Sequence, residues 1–219
     1  MYQVTSAVMS TAAYVLPNVV KLCLILKDGN GSCFRHLTAM PKLRKLKILG
    51  TKATSFAPQE LLALRDLHQL EKLSFSMTDS AGLNGMVAPE LTDADFDLMV
   101  SGLPELKKFA CEIAWEPQSF SVLTSLANHC PNLERLRLDG VYDLQLLNNV
   151  PKVMFPRLVD LMLDDTEAHD IPVRLTPLQI GRLIDHHAPV LHELIFMADY
   201  DNHPVTQAWW SVAESQTGE

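Results

Sequence analysis

The chain has 219 residues, 47% of them hydrophobic, and 18 Lys+Arg against 26 Asp+Glu give a formal net charge of −8. That apolar fraction excludes a disordered chain, and the acidic balance excludes a globally basic nucleic-acid binder. The length allows one large domain or two small ones, burying roughly 70% of the surface that the unfolded chain exposes.

The first twenty residues are mildly apolar, but Ser, Thr and Gln dilute them and no basic residue precedes them. A secretory signal is therefore not expected. Lys21, Lys27 and Asp28 interrupt the most apolar early segment, and no run reaches the about 18 apolar residues of a spanning helix. The expectation is a soluble chain without membrane contact, in the cytoplasm or nucleus. Cys23, Cys33, Cys111 and Cys130 show no CxxC spacing, which fits reduced thiols better than a disulfide frame or zinc site.

One pattern recurs seven times: an apolar residue, usually Pro, any residue, then apolar positions spaced three and two apart. The copies are LPNVVKLCL from Leu16, MPKLRKLKI from Met40, LHQLEKLSF from Leu67, LPELKKFAC from Leu103, CPNLERLRL from Cys130, FPRLVDLML from Phe155 and APVLHELIF from Ala188. The first apolar residues after the Pro slot, Val19, Leu43, Leu70, Leu106, Leu133, Leu158 and Leu191, are separated by 24, 27, 36, 27, 25 and 33 residues. The last two apolar positions alternate with polar ones, as in Leu136-Arg137-Leu138, and a period of two predicts a short strand with one buried face. Pro sits just before the strand, where no ladder donor is required.

Helical stripes lie between these strands. Weak ones run from Glu60 to Leu67 and from Ser119 to Ala127. A stronger one starts at Thr92, an N-cap with Asp95 at the third position, and carries Phe96, Met99, Val100 and Leu103 on one face. Thr176-Pro177 repeats that start, with Ile180, Leu183, Ile184 and His187 at helical spacing. A helix-turn-strand unit cannot bury both of its apolar faces alone, so neighbouring units must stack, with parallel strands lining a concave side.

With these residues in place, the chain resembles leucine-rich-repeat proteins, whose core pattern is LxxLxL. CPNLERLRLDG, from Cys130 to Gly140, is similar to the irregular repeats of the ribonuclease-inhibitor-like class that follow F-box motifs in fungal and plant proteins. The resemblance covers residues 12–198. It implies an α/β leucine-rich-repeat solenoid of about seven irregular repeats at 1–198 and a C-terminal tail or cap at 199–219. It also implies a non-catalytic protein-interaction role, as the substrate-recognition part of an F-box-type ubiquitin ligase receptor. No F-box-like segment is apparent before Leu16, so contact with a cullin-ligase adaptor would need an F-box elsewhere. The family's Asn or Cys after each strand is replaced by Lys27, Thr51, Thr78, Ala114, Val141, Thr166 and Asp199.

Strand alternation assigns the solvent-facing columns. The first reads Lys21, Lys45, Lys72, Lys108, Arg135, Asp160, Glu193, and the second reads Cys23, Lys47, Ser74, Ala110, Arg137, Met162, Ile195. Five cations on strands about 4.8 Å apart repel one another unless neighbours or an anionic ligand offset them. Glu112 and Asp139 are placed to neutralise Lys108, Arg135 and Arg137. Residues 1–50 carry seven basic residues against Asp28 alone, so a local +6 is hidden in the acidic total. The candidate partner-binding set is Lys21, Lys45, Lys47, Lys72, Lys108, Arg135, Arg137, Asp160 and Glu193, suited to an acidic or phosphorylated protein segment. Ordinary solvated strand surface explains the same residues. The alternative ligand is another anion or a nucleic acid, although no aromatic residue interleaves to stack bases.

Two long insertions, 77–91 and 164–175, leave after strands and are loop candidates for binding or for neutral drift. Catalytic constellations are missing. Asp93, Asp95 and Asp97 read as a helix start rather than a metal site. His186-His187 lack the spacing of a zinc helix, and the acidic loop at Asp164, Asp165, Glu167, His169 and Asp170 has no Gly at a calcium-loop position. Neither an enzyme, a metal nor a cofactor is expected. Trp209-Trp210 are expected to cover the open end of the stack.

Overall fold

The computed structural model describes residues 6–26, 29–30, 34–50, 54–77, 85–115, 119–165, 175–197 and 203–217. Its strands are β1 (Lys21–Leu26), β2 (Gly29–Asn30), β3 (Lys45–Gly50), β4 (Thr54–Ser55), β5 (Lys72–Met77), β6 (Met86–Val87), β7 (Lys108–Cys111), β8 (Ile113–Ala114), β9 (Arg135–Val141), β10 (Asp160–Asp165) and β11 (Glu193–Phe196). The helices are α1 (Ser6–Val15), α2 (Pro58–Leu62), α3 (Asp93–Val100), α4 (Ser121–His129), α5 (Pro177–His187) and α6 (Pro204–Thr217). Shorter 3₁₀ segments occupy Phe34–Ala39, Ala63–Asp66 and Leu144–Asn149.

The chain folds as an α/β structure around a seven-stranded parallel sheet in the order β1-β3-β5-β7-β9-β10-β11. Each copy of the sequence motif supplies one strand. The residue after the Pro slot is buried in the turn before the strand at Leu43, Leu70, Leu106, Leu133, Leu158 and Leu191, while Val19 before β1 is only partly buried. Within the strands the inward positions are Leu46 and Ile48, Leu73 and Phe75, Phe109 and Cys111, Leu136 and Leu138, then Leu161 and Leu163. They join the buried faces of the helices in one apolar core. The opposite face of the sheet is left open.

Units of unequal length fit one sheet because the return segments differ in pitch. The two shortest spacings, 24 and 25 residues, contain only the 3₁₀ segments Phe34–Ala39 and Leu144–Asn149. Six residues at about 2.0 Å rise cover about 12 Å, close to the about 13.5 Å that nine α-helical residues cover. The tighter coil thus spans the same layer with fewer residues. The longer units carry the regular helices α3, α4 and α5.

Helix starts follow their side chains. Thr92 Oγ1 accepts from the Asp95 backbone N–H at 3.1 Å while Asp95 Oδ2 accepts from the Thr92 N–H at 3.0 Å. Thr176 and Gln179 form the same reciprocal pair at the start of α5, with Pro177 in its first turn. The predicted stripe from Glu60 to Leu67 is a shorter α2 followed by a 3₁₀ turn, and the stripe from Ser119 is α4.

Three features go beyond the sequence reading, which expected a tail or cap at 199–219 but no helix there. Two-residue strands β2, β4, β6 and β8 form a second parallel sheet beside the first. The N-terminal residues form α1, and the tail forms α6, which packs on α5 and β11. Trp209 is buried in that contact, whereas Trp210 is 45% exposed, so one of the two tryptophans covers the end of the stack.

Aromatic rings bridge the units: Phe34, Phe56 and Phe75 lie with centroids 5.6 to 6.4 Å apart, and Phe96 stacks on Trp115 at 5.4 Å. The turns are equally close. A Cβ on Gly102 would stand 1.9 Å from the carbonyl oxygen of Arg65, a backbone atom that cannot swing aside, while a Cβ on Gly85 would meet nothing within 4 Å. Gly102→Ala should therefore lower the urea midpoint by the equivalent of about 1–3 kcal/mol, and Gly85→Ala should leave it nearly unchanged. Equal midpoints for the two variants would contradict this packing.

Candidate functional site

The parallel ladder sets the first outward column without any offset. Lys21 pairs with Lys45, Lys45 with Lys72, Lys72 with Lys108, Lys108 with Arg135, Arg135 with Asp160 and Asp160 with Glu193. The second column is likewise continuous from Cys23 through Lys47, Ser74, Ala110, Arg137 and Met162 to Ile195. All nine candidate residues lie on the sheet's open face. Lys21, Lys47, Arg135 and Glu193 are exposed, and the remaining five are partly so.

Ion pairing divides this face in two. Arg135 Nε reaches Asp160 Oδ2 at 2.8 Å across neighbouring strands, and Arg137 Nη2 reaches Glu112 Oε1 at 3.0 Å. The sequence reading gave Arg135 to Glu112 or Asp139. Instead Asp160, its register partner, takes it, because a directly opposed pair lies closer than a diagonal one. Among the described residues no ion pair engages Lys21, Lys45, Lys47, Lys72 or Lys108. Two unit charges 5 Å apart in bulk water repel by about 0.8 kcal/mol. The lysine row therefore holds a modest repulsion that an anion lying along it would relieve. Lys21, Cys23, Lys45, Lys47, Lys72 and Ser74 line a shallow cleft of about 400 Å³ on this half of the sheet.

The other half holds an acidic cluster. Between β9 and β10 the register shifts after Leu163, and Gly140 on β9 adopts φ 121°. An extra residue with positive φ is a β-bulge that favours glycine. It sits beside Asp139, whose Oδ1 lies 4.0 Å from Arg137 Nε. Glu112 is fixed from a second side, accepting from the Met77 backbone N–H at 2.8 Å. Burial, with Glu112 and Asp164 nearby, pushes the Asp139 carboxyl up to about 6, and Arg137 opposes that rise only in part. The sequence reading did not include this bulge, for which the Asp139-Gly140 dipeptide is the available signal.

The remaining titratable groups have structural partners. Asp93 accepts from the Ser121 hydroxyl at 2.6 Å and also from Ser119, Asp95 caps α3, and Asp97 pairs with His129 at 3.1 Å. His187 is buried with its ring nitrogens 3.1 and 3.0 Å from the carbonyls of Lys152 and Leu147. Burial pulls its pKa down. Cys111 and Cys130 are buried thiols pushed up to about 12, and Cys23 is exposed. Cys33, Glu167, His169, Asp170 and residues 78–84 and 166–174 of the two long insertions lie outside the described residues, as do Lys27, Thr51 and Asp199. Ala114 ends the two-residue β8 and Val141 ends β9.

No family model matches the sequence, and no curated protein matches it. Among solved structures, the chain is similar to one described as the crystal structure of the Rad7 and Elc1 complex in yeast, with 15% identity and a TM-score of 0.48. That match covers 88% of this chain and 50% of the other, so this chain spans half the length of the protein it matches.

Asp139 supplies a pH test. Its folded pKa lies above the ordinary carboxylate value of 3.8, so the native state holds the proton more tightly than the unfolded chain. The stability from this group is fully present below about pH 4 and is lost as pH rises through about 6. Asp139→Asn should raise Tm at pH 7.5 and lose that advantage at pH 4.5, as read by thermal melts in matched buffers.

Proposed function

We propose that this chain is a leucine-rich-repeat domain, 1–198 with a cap at 199–219, whose open sheet face binds an acidic or phosphorylated segment of a partner protein and performs no chemistry. The observation that carries the reading is the row Lys21-Lys45-Lys72-Lys108 with Lys47 beside it, in register and without ion pairs among the described residues. A solvated strand surface at random would mix signs, and the second half of this sheet does so. Extended backbone carrying carboxylates or phosphates supplies the missing counter-charge along the row.

The outward columns contain no aromatic side chain, which favours a peptide over single-stranded nucleic acid, whose bases would need stacking surfaces. The sequence resemblance to F-box-associated repeats extends the proposal. In a longer chain with an F-box, this face would receive the substrate of an intracellular ubiquitin ligase.

The test is fluorescence anisotropy with a labelled Asp/Glu-rich peptide, with and without phosphoserine. Lys45→Glu combined with Lys72→Glu should weaken binding by about tenfold or more, equivalent to about 1.4 kcal/mol, and flatten its salt dependence. Arg135→Ala, already paired with Asp160, should change it far less. Unchanged affinity in the lysine variant overturns the site, and tighter retention of a single-stranded oligonucleotide than of the peptide transfers it to the nucleic-acid reading.

A further inference from the structure

The first outward column sorts its charges along one line. Lysines occupy it from Lys21 to Lys108, Arg135 and Asp160 follow, and Glu193 ends it on β11, each position one strand from the next. The middle two cancel, since Arg135 Nε and Asp160 Oδ2 meet at 2.8 Å. Glu193 is exposed and, among the described residues, has no ion pair. An unpaired row of cations, a neutral step and an unpaired anion thus lie in sequence across the sheet.

That order constrains what can lie along it. A wholly acidic segment reaching β11 would set a carboxylate against Glu193, and two like charges about 5 Å apart in bulk water oppose each other by about 0.8 kcal/mol. The complement must therefore change sign before β11. From Lys108 to Glu193 is a span of three strand steps, about 14 Å at about 4.8 Å each. Extended backbone at about 3.4 Å per residue covers it in about four residues, which leaves about three between the last acid and the first base. Those three cross the Arg135–Asp160 pair, where a charge of either sign gains from one member what it loses to the other. The second column favours an apolar side chain at the same place. Arg137 is followed there by Met162, partly exposed, and by Ile195, which is buried although it belongs to the outward column. A methionine thioether is flexible and polarisable enough to fit side chains of several shapes.

We propose that the partner segment is charge-segregated: an acidic run over β1 to β7, a short uncharged spacer with an apolar side chain against Met162, and a Lys or Arg that pairs with Glu193. This deepens the reading of the lysine row as the docking face and rests on it. Fluorescence anisotropy of the full chain with two labelled peptides tests it. Both carry a run of glutamates and a spacer of about three uncharged residues that includes leucine; one ends in Arg-Arg and the other in Gln-Gln. The glutamine peptide is the more negative, so the lysine row acting alone favours it. Pairing with Glu193 instead favours the arginine peptide, by about threefold. Glu193→Lys should reverse that order with circular dichroism unchanged, and Glu193→Gln, which serves if the lysine variant fails to fold, should remove the arginine advantage. Placing the arginines directly after the glutamates should remove it on the native chain as well. Equal or weaker binding of the arginine peptide, or a preference for it that survives both Glu193 variants, overturns the proposal. In that case the lysine row stands on its own if both peptides still lose affinity in Lys45→Glu with Lys72→Glu, and binding of neither peptide overturns both.

Discussion

Seven parallel strands from β1 to β11, hydrogen-bonded in register up to the bulge at Gly140, place their side chains over their counterparts in the next strand, and most of the molecule follows from that constraint. On the inner face it turns a repeated Leu or Phe into a column about 4.8 Å per step, so each buried side chain packs against residues of its own kind above and below. On the outer face the same stacking brings like charges together. Apolar columns gain from repetition, whereas charged columns must be broken by opposite signs, as at Arg135 and Asp160, or carry the repulsion.

Everything that varies between units has been moved away from this ladder. The return segments change between α-helix and 3₁₀ coil to absorb different lengths while covering the same span, and a second set of two-residue strands ties the segments leaving the main sheet. The one interruption within the ladder, the bulge at Gly140, coincides with the buried carboxylate of Asp139. Beyond the bulge pairing continues at Val141 opposite Asp165, one residue out of the earlier register. His187 works at the same level: its ring lies between the carbonyls of Leu147 and Lys152 and, when neutral, donates its one N–H to one of them, fastening a unit that has no regular helix of its own.

The strands and their outward columns were legible because a period of two and a repeated Pro-x-Leu anchor are local signals, and because parallel pairing preserves their alignment. Thr92 and Thr176 marked their helices for a similar reason, since a cap uses residues three positions apart. The 3₁₀ segments, the small second sheet and α6 were not legible. Two-residue strands have no period to detect, and α6 is held by burial of Trp209 against α5 rather than by a strong pattern of its own. The pairing of Arg135 with Asp160 instead of Glu112 depended on side-chain reach across strands, which column alignment leaves open.

The sign change between Arg135 and Asp160 also gives the open face a direction. Along the first column the potential falls from Lys21 toward Glu193, perpendicular to the strands, and the Arg135–Asp160 bridge holds the crossover at a fixed strand. A flexible segment with charge at one end only would experience a torque before it made any contact. Its two possible polarities would differ in energy even if every short-range contact were equal, so the sheet distinguishes a sequence from its reverse by field alone.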